Sequence, residues 1–235
     1  MNLFRMVLFC LSFITASQSI ATAHSLGADV KIEQIGPSLA HPWGISLIDN
    51  KTALITLRDG VLIRMNLDTG NVTKIANVPA VFARRQGGLL DVLTHKNTSG
   101  LLSAYICYSK PVNGGAVTAL DRAEVQKDSL INRQTLFQAN DVSARAVHFG
   151  CRIAIHNNHL YLSIGDRGQR DNAQNFASHA GAVVRLNLNG LIPENNPVFP
   201  NGAPGLFTKG HRNPQGMAIH PLTGDVWINE HKRDT

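Results

Sequence analysis

Gly150-Cys-Arg-Ile-Ala-Ile-His-Asn-Asn-His-Leu-Tyr-Leu-Ser163 reads as a short apolar strand, a polar turn and a second apolar strand. Gly44-Ile-Ser-Leu-Ile-Asp-Asn-Lys-Thr-Ala-Leu-Ile-Thr56 follows the same plan, and so does Gly216-Met-Ala-Ile-His-Pro-Leu-Thr-Gly-Asp-Val-Trp-Ile-Asn229. A second element also recurs: Gly60-Val-Leu-Ile-Arg-Met-Asn-Leu-Asp68 matches Gly181-Ala-Val-Val-Arg-Leu-Asn-Leu-Asn189. The spacing of the first pair of units leaves room for two repeats of ~50 residues, and the second for one repeat with a long insertion. All-strand repeats of this length predict β-propeller blades; a sandwich or irregular β domain is the alternative.

The rest of the chain agrees with an all-β class. Helical periodicity is nearly absent. Thr52–Leu57, Val61–Met65, Leu102–Tyr108, Leu160–Ile164 and Val183–Leu188 are further short apolar runs, and Asp59-Gly60, Asp68-Thr-Gly70 and Asn189-Gly190 supply turns. With 43% hydrophobic and 16% charged residues in 235, the composition is that of a folded globule. The net charge of +6 comes from scattered residues, the nearest approach to a basic run being Lys232-Arg233. Nucleic-acid binding is therefore disfavoured, since it needs a clustered basic footprint. A diffuse excess suits small anionic ligands equally well.

Residues 1–23 read as a secretory signal peptide: Arg5 near the start, an apolar run from Met6 to Ile14, then Ala21-Thr22-Ala23 as a small-residue cleavage site. The apolar run is too short to span a bilayer, and no later stretch is long enough. The expected mature domain is 24–235, in the periplasm or outside the cell. Cys10 leaves with the signal, and Cys107 and Cys151 remain. They either pair or sit as two buried thiols inside strands; the balance favours thiols, because sequence gives no separation. At ~50 residues per blade the mature domain holds about four blades. Glu230–Thr235 stops directly after a strand, so a C-terminally incomplete propeller is expected.

Three polar segments stand where β scaffolds hold their chemistry. In Arg84-Arg-Gln-Gly-Gly-Leu-Leu-Asp91, two glycines beside Gln86 would let backbone approach a ligand. In Val147-His-Phe-Gly-Cys-Arg152 and Ser163-Ile-Gly-Asp-Arg-Gly168, His148 precedes one strand of a hairpin and Asp166 follows the other. The hairpin folds back, so the two ends can meet, and an imidazole oriented by a carboxylate is a good general base near neutral pH. In Lys209-Gly-His-Arg-Asn-Pro-Gln-Gly216, Arg212 and Asn213 stand ahead of a proline-fixed turn and could clamp an anion or a carbonyl, with Glu230-His231 following. A phosphate loop, a nucleophile elbow and a zincin-type helix motif are all absent.

Together these strings resemble the soluble quinoprotein sugar dehydrogenases, the glucose/sorbosone or aldose sugar dehydrogenase family. Gln86-Gly-Gly-Leu-Leu-Asp91, His148-Phe-Gly-Cys-Arg152, Ile164-Gly-Asp-Arg-Gly168, Val184-Arg-Leu-Asn-Leu-Asn-Gly190 with Ile192-Pro-Glu-Asn-Asn-Pro197, and Gly210-His-Arg-Asn-Pro-Gln-Gly216 occur in the family's order. The likeness begins at Leu39-Ala-His-Pro-Trp-Gly44. It implies a six-bladed propeller binding pyrroloquinoline quinone (PQQ) and calcium, and oxidising the anomeric hydroxyl of an aldose sugar to the lactone for a soluble electron acceptor. It also implies His148 as general base, Asp166 as the carboxylate that orients it, and Arg212 at the reactive quinone carbonyl. Gln86 and Asn213 would be further cofactor contacts.

Departures are specific. Lys232-Arg233 stands where the family's Gly-Pro carbonyls bind calcium, Ala182 replaces a lysine, and Cys151 occupies a position usually glycine or serine. Weak or absent calcium binding at Lys232-Arg233 is therefore expected. A sugar-binding propeller without catalysis and a calcium-dependent lactonase-type propeller are the competing functions. The set His148, Asp166, Gln86 and Arg212 favours the oxidoreductase.

Overall fold

The computed structural model describes residues 31–231. The signal peptide read at 1–23 and the Lys232-Arg233 departure lie outside the described residues. The chain divides into two units, Met1–Gln34 and Ile35–Thr235. Of the first, the described part contains an exposed Lys31–Glu33 ion pair of 3.0 Å.

The second unit is built from antiparallel strands in chain order. β1 (Pro42–Asp49), β2 (Thr52–Leu57), β3 (Val61–Asn66) and β4 (Val72–Ile75) form one meander, with each strand beside the next. β5 (Leu89–Lys96), β6 (Leu102–Val112), β7 (Gly115–Val125) and β8 (Leu130–Gln138) form a second. β9 (Ile153–His156), β10 (His159–Ile164), β11 (Ala182–Asn187) and β12 (Leu206–Lys209) form a third. β13 (Pro214–Ile219) and β14 (Val226–Glu230) pair as a two-stranded sheet. These are three propeller blades and the opening hairpin of a fourth among the described residues. The recurrent units seen in sequence are β1–β2, β9–β10 and β13–β14, the first hairpin of each blade. The second recurrent element is the third strand, β3 and β11.

The inner strands lack a clean polar alternation because both their faces are packed. Along β2, Leu54 packs with Leu62 and Ile106, while Ala53 and Ile55 pack with Ile63 and Met65. Along β6, Ala104, Ile106 and Tyr108 join the core shared with the first blade; Tyr105 and Cys107 join the core shared with the third. Along β10, Leu160, Leu162 and Ile164 face the second blade, and Tyr161 faces Met217 and Ile228 of the last hairpin. Side chains alternate across a strand, so a strand between two blades carries apolar residues on both faces. Fully burying each Leu or Ile contributes roughly 1.5–3 kcal/mol before entropy is counted.

Turn chemistry sets the hairpins. Asn157 and Asn158 take φ of 49° and 61° between β9 and β10, the left-handed pair that a two-residue hairpin requires and that asparagine tolerates. Pro214 is the first residue of β13, not part of a turn as its sequence context suggested, a strand position that needs no ladder donor.

The cysteines correct an expectation. Cys107 on β6 and Cys151 just before β9 form a disulfide, with Cα atoms 5.6 Å apart, where buried thiols were favoured. The stacking of the second blade on the third brings them together across 44 residues of chain. Closing a loop of that length restricts the unfolded chain by about 4 kcal/mol in the chain-entropy account.

Candidate active site

The start of β9, the end of β10, the end of β12 and the start of β13 lie at one rim, because antiparallel pairing sets each start beside a neighbour's end. His148, Asp166, Arg212 and Asn213 all occupy connections at that rim. Their approach depends on Gly165, where a Cβ would stand 2.3 Å from the His148 carbonyl oxygen. Only a residue without a side chain lets the two connections touch there.

His148 Nδ1 and Asp166 Oδ1 are 2.6 Å apart, with side chains 15% and 7% exposed. The same Oδ1 accepts the Gly168 N–H at 2.7 Å. A carboxylate accepts, so Nδ1 is the donor of this pair, and in a neutral imidazole the lone pair is then on Nε2. The His148 backbone is left-handed, with φ of 50°. Its N–H donates to Gln86 Oε1 at 2.8 Å, and the Gln86 N–H donates to the Ala146 carbonyl at 3.0 Å. Asn213, buried, accepts the Gly150 N–H on Oδ1 at 3.1 Å. The side-chain oxygens of Gln86 and Asn213 are therefore spent on the His148 loop.

The glycines beside Gln86 have a different purpose from the one the sequence suggested. A Cβ on Gly87 would meet the Phe82 carbonyl oxygen at 2.5 Å, and one on Gly88 would meet the Arg58 carbonyl oxygen at 1.9 Å. They admit the protein's own backbone.

Arg212 is fixed by its main chain. Its carbonyl accepts the Asp166 N–H at 2.8 Å, and its N–H donates to Glu230 Oε2 at 2.6 Å. Arg212 lines a cavity of about 450 Å³ with Asp166, Arg170, Asp171, His211, Glu230 and others. Neither Arg170 nor Arg212 makes a salt bridge or a side-chain hydrogen bond among the described residues. Two unpaired cations thus share a pocket with the carboxylate that orients His148.

A sequence profile described as Glucose / Sorbosone dehydrogenase matches residues 39–234. The chain belongs to the glucose/sorbosone dehydrogenase family. It is 34% identical over 211 residues to the aldose sugar dehydrogenase YliI of Escherichia coli (strain K12), covering 87% of this chain and 57% of that protein. It is 28% identical over 243 residues to the quinoprotein glucose dehydrogenase B of Acinetobacter calcoaceticus, covering 88% of this chain and 49% of that protein. Its fold matches the apo-form crystal structure of the soluble aldose sugar dehydrogenase from Escherichia coli with a TM-score of 0.80 and 32% identity, over 85% of this chain and 60% of that one. The chain spans about half the length of the curated relatives it matches.

Within this glucose/sorbosone dehydrogenase framework, three supporting groups carried no assigned role in the sequence. Glu230 Oε2 accepts the N–H groups of both Arg212 and Asn213, the latter at 3.2 Å, and Oε1 lies 3.3 Å from His211 Nδ1. The Glu230-His231 pair was visible, but its partner lies 18 residues upstream. Arg167 is buried, with its guanidinium 3.6 Å over the Phe149 ring. It donates to the Val147 and Arg145 carbonyls at 2.8 and 3.1 Å, holding the segment that leads into His148. Burial lowers its pKa to about 10 against the opposing charge of Asp141, 3.4 Å away, whose own carboxyl burial pushes up to about 7. Lys209 Nζ donates to the Asn172, Ser178 and Ala180 carbonyls at 3.1, 3.0 and 2.7 Å, tying down the connection after Asp166. Burial brings its pKa down to about 8.

Asp91 links two blades at the same rim. Oδ1 lies 3.2 Å from Arg152 Nη1, and Oδ2 accepts the Ile153 N–H at 2.9 Å. Burial raises the Asp91 pKa, opposed first by the Arg152 charge.

Proposed function

We propose that this chain carries the catalytic rim of a PQQ-dependent aldose dehydrogenase, which oxidises the anomeric hydroxyl of an aldose to the lactone and passes electrons to a soluble acceptor. The observation that carries the reading is the 2.6 Å His148–Asp166 pair, of which Asp166 lines the pocket that also holds Arg212.

The residues fit the cofactor. PQQ is an anionic quinone with several carboxylates, and the pocket offers Arg170 and Arg212, neither in a salt bridge among the described residues. Beside them are Asp166, which is held by His148, and Glu230, which is held by backbone N–H groups. Arg212 would hold the quinone oxygens, and Arg170 a carboxylate. When bound, PQQ supplies the hydride acceptor. His148 Nε2 takes the proton of the sugar hydroxyl, and Asp166 holds the imidazole and stabilises its charged form. Arg212 offers positive charge where negative charge develops. Gln86 and Asn213 fix the loop from which His148 projects.

Calcium stays part of the reading as the family's second cofactor. On this reading its ligands would be the carbonyls of residues 232–233, outside the described residues, and the two cationic residues there argue for weak affinity. Among the described residues, no cluster of three or more His, Cys, Asp or Glu side chains could hold a metal ion.

The test is reduction of an acceptor dye by the protein supplied with PQQ and calcium, across a panel of aldoses. Turnover that needs both PQQ and an aldose with a free anomeric hydroxyl is expected. Sugar binding without PQQ-dependent dye reduction would contradict the reading. The N-terminal segment and the disulfide support a periplasmic or secreted protein, and exported material is expected to begin at His24 on N-terminal sequencing. Exported material that still begins at Met1 would count against cleavage.

A further inference from the structure

We propose that the Cys107–Cys151 disulfide is a positioning device for His148, acting by holding residue 151 in a left-handed backbone that the His148 loop requires. The proposal rests on the reading of His148 as the base, but its structural content can be tested without turnover.

The loop from His148 to Cys151 is left-handed at three residues: His148 at φ 50°, Gly150 at 63° and Cys151 at 70°. Glycine adopts this region freely; a residue with a Cβ does so only when its surroundings impose it. For His148 the surroundings are the Asp166 carboxylate and the Gln86 amide oxygen. For Cys151, the N–H donates to the Ser163 carbonyl at 2.7 Å and the side chain is bonded to Cys107. Both half-cystines are fully buried.

Cys107 is a well-braced anchor. On β6 it stands opposite Asp91 of β5 and Leu120 of β7, inside the second blade. Asp91 in turn holds Arg152 and the Ile153 N–H. The second blade therefore grips three consecutive residues, 151 covalently, 152 by charge and 153 by a backbone hydrogen bond. Thr118 Oγ1 of the same blade donates to the Phe149 carbonyl at 3.0 Å. Relaxation of residue 151 to negative φ would turn the chain at the pivot between these anchors and His148. The imidazole then loses its fixed place at Asp166.

Two double variants separate this role from general stabilisation. Cys107→Ala with Cys151→Ala removes the bond and leaves a Cβ at a left-handed position. Cys107→Ala with Cys151→Gly removes the same bond and frees the backbone to keep that conformation. Amide hydrogen exchange over residues 147–153 is expected to be about tenfold faster in the alanine pair, and to return most of the way to the native rate in the glycine pair. Exchange in β10 should change to the same extent in both pairs, because both lose the same cross-link. If either pair fails to fold, the native protein is measured before and after reduction by a phosphine, with thiols confirmed by mass. Exchange that quickens more in the loop than in β10 supports the proposal.

Equal loop exchange in the alanine and glycine pairs would overturn it, as would loop exchange unaffected by reduction. Dye turnover measured alongside should fall in the alanine pair and recover in the glycine pair. Lack of PQQ-dependent turnover in the native protein would instead count against the catalytic reading, and is told apart because the exchange comparison does not depend on it.

Discussion

Replacing His148 with alanine is expected to lower the turnover of the PQQ-loaded protein by ~10²–10⁴-fold while leaving PQQ binding largely intact. On the proposed reading the imidazole is the proton acceptor, and alanine deletes it. Asp166→Asn should cost less, since the side chain orients the imidazole and does not take the substrate proton. An asparagine oxygen still accepts from His148 Nδ1 and from the Gly168 N–H, the two donors now on Asp166. Steady-state dye reduction at saturating PQQ, with parallel cofactor titration, checks both variants. Unchanged turnover in His148→Ala would remove the residue from the chemistry, and a larger loss in Asp166→Asn than in His148→Ala would invert the assigned roles.

Asp91→Ala is expected to destabilise the fold by ~3–5 kcal/mol, the usual consequence of removing one partner of a buried ion pair. Its carboxylate is 10% exposed and serves Arg152 and the Ile153 N–H across a blade junction. Alanine leaves the Arg152 guanidinium without its carboxylate. It also leaves the Ile153 N–H unpaired at the start of β9, where water cannot easily replace the acceptor. Urea denaturation followed by circular dichroism reads the change as a shift in midpoint. A loss below ~1 kcal/mol would show that the junction relaxes to admit water and that Asp91 is not a structural link.

The parts of this structure that were legible in sequence are those with local causes. The β9–β10 hairpin announces itself through Ile153, Ile155, Leu160 and Leu162 on either side of Asn157-Asn158, and the same grammar marks β1–β2 and β13–β14. The His148–Asp166 meeting follows from that hairpin, because its two ends must adjoin. What was not legible depends on blade stacking, which sequence does not print. Cys107 and Cys151 belong to different blades, so their 5.6 Å approach is a property of the stack. Gly87 and Gly88 look like a ligand cradle until the Phe82 and Arg58 carbonyls are seen against them. Arg167, between Asp166 and Gly168, carries no sequence sign of its role, yet it is buried over Phe149 and holds the backbone that leads into His148. Glu230 serves Arg212 from 18 residues away through the pairing of β13 with β14.

The central claim is that the rim pocket with Arg212 at its wall receives an anionic quinone beside His148. Equilibrium titration of the protein with PQQ tests it most directly, followed by absorbance and repeated on Arg212→Ala. The account predicts saturable binding that weakens about 10–100-fold in the variant, the loss expected for charge-assisted hydrogen bonds to a carboxylate or quinone oxygen. Equal affinity in the two proteins, or no saturable binding to the native one, would contradict it.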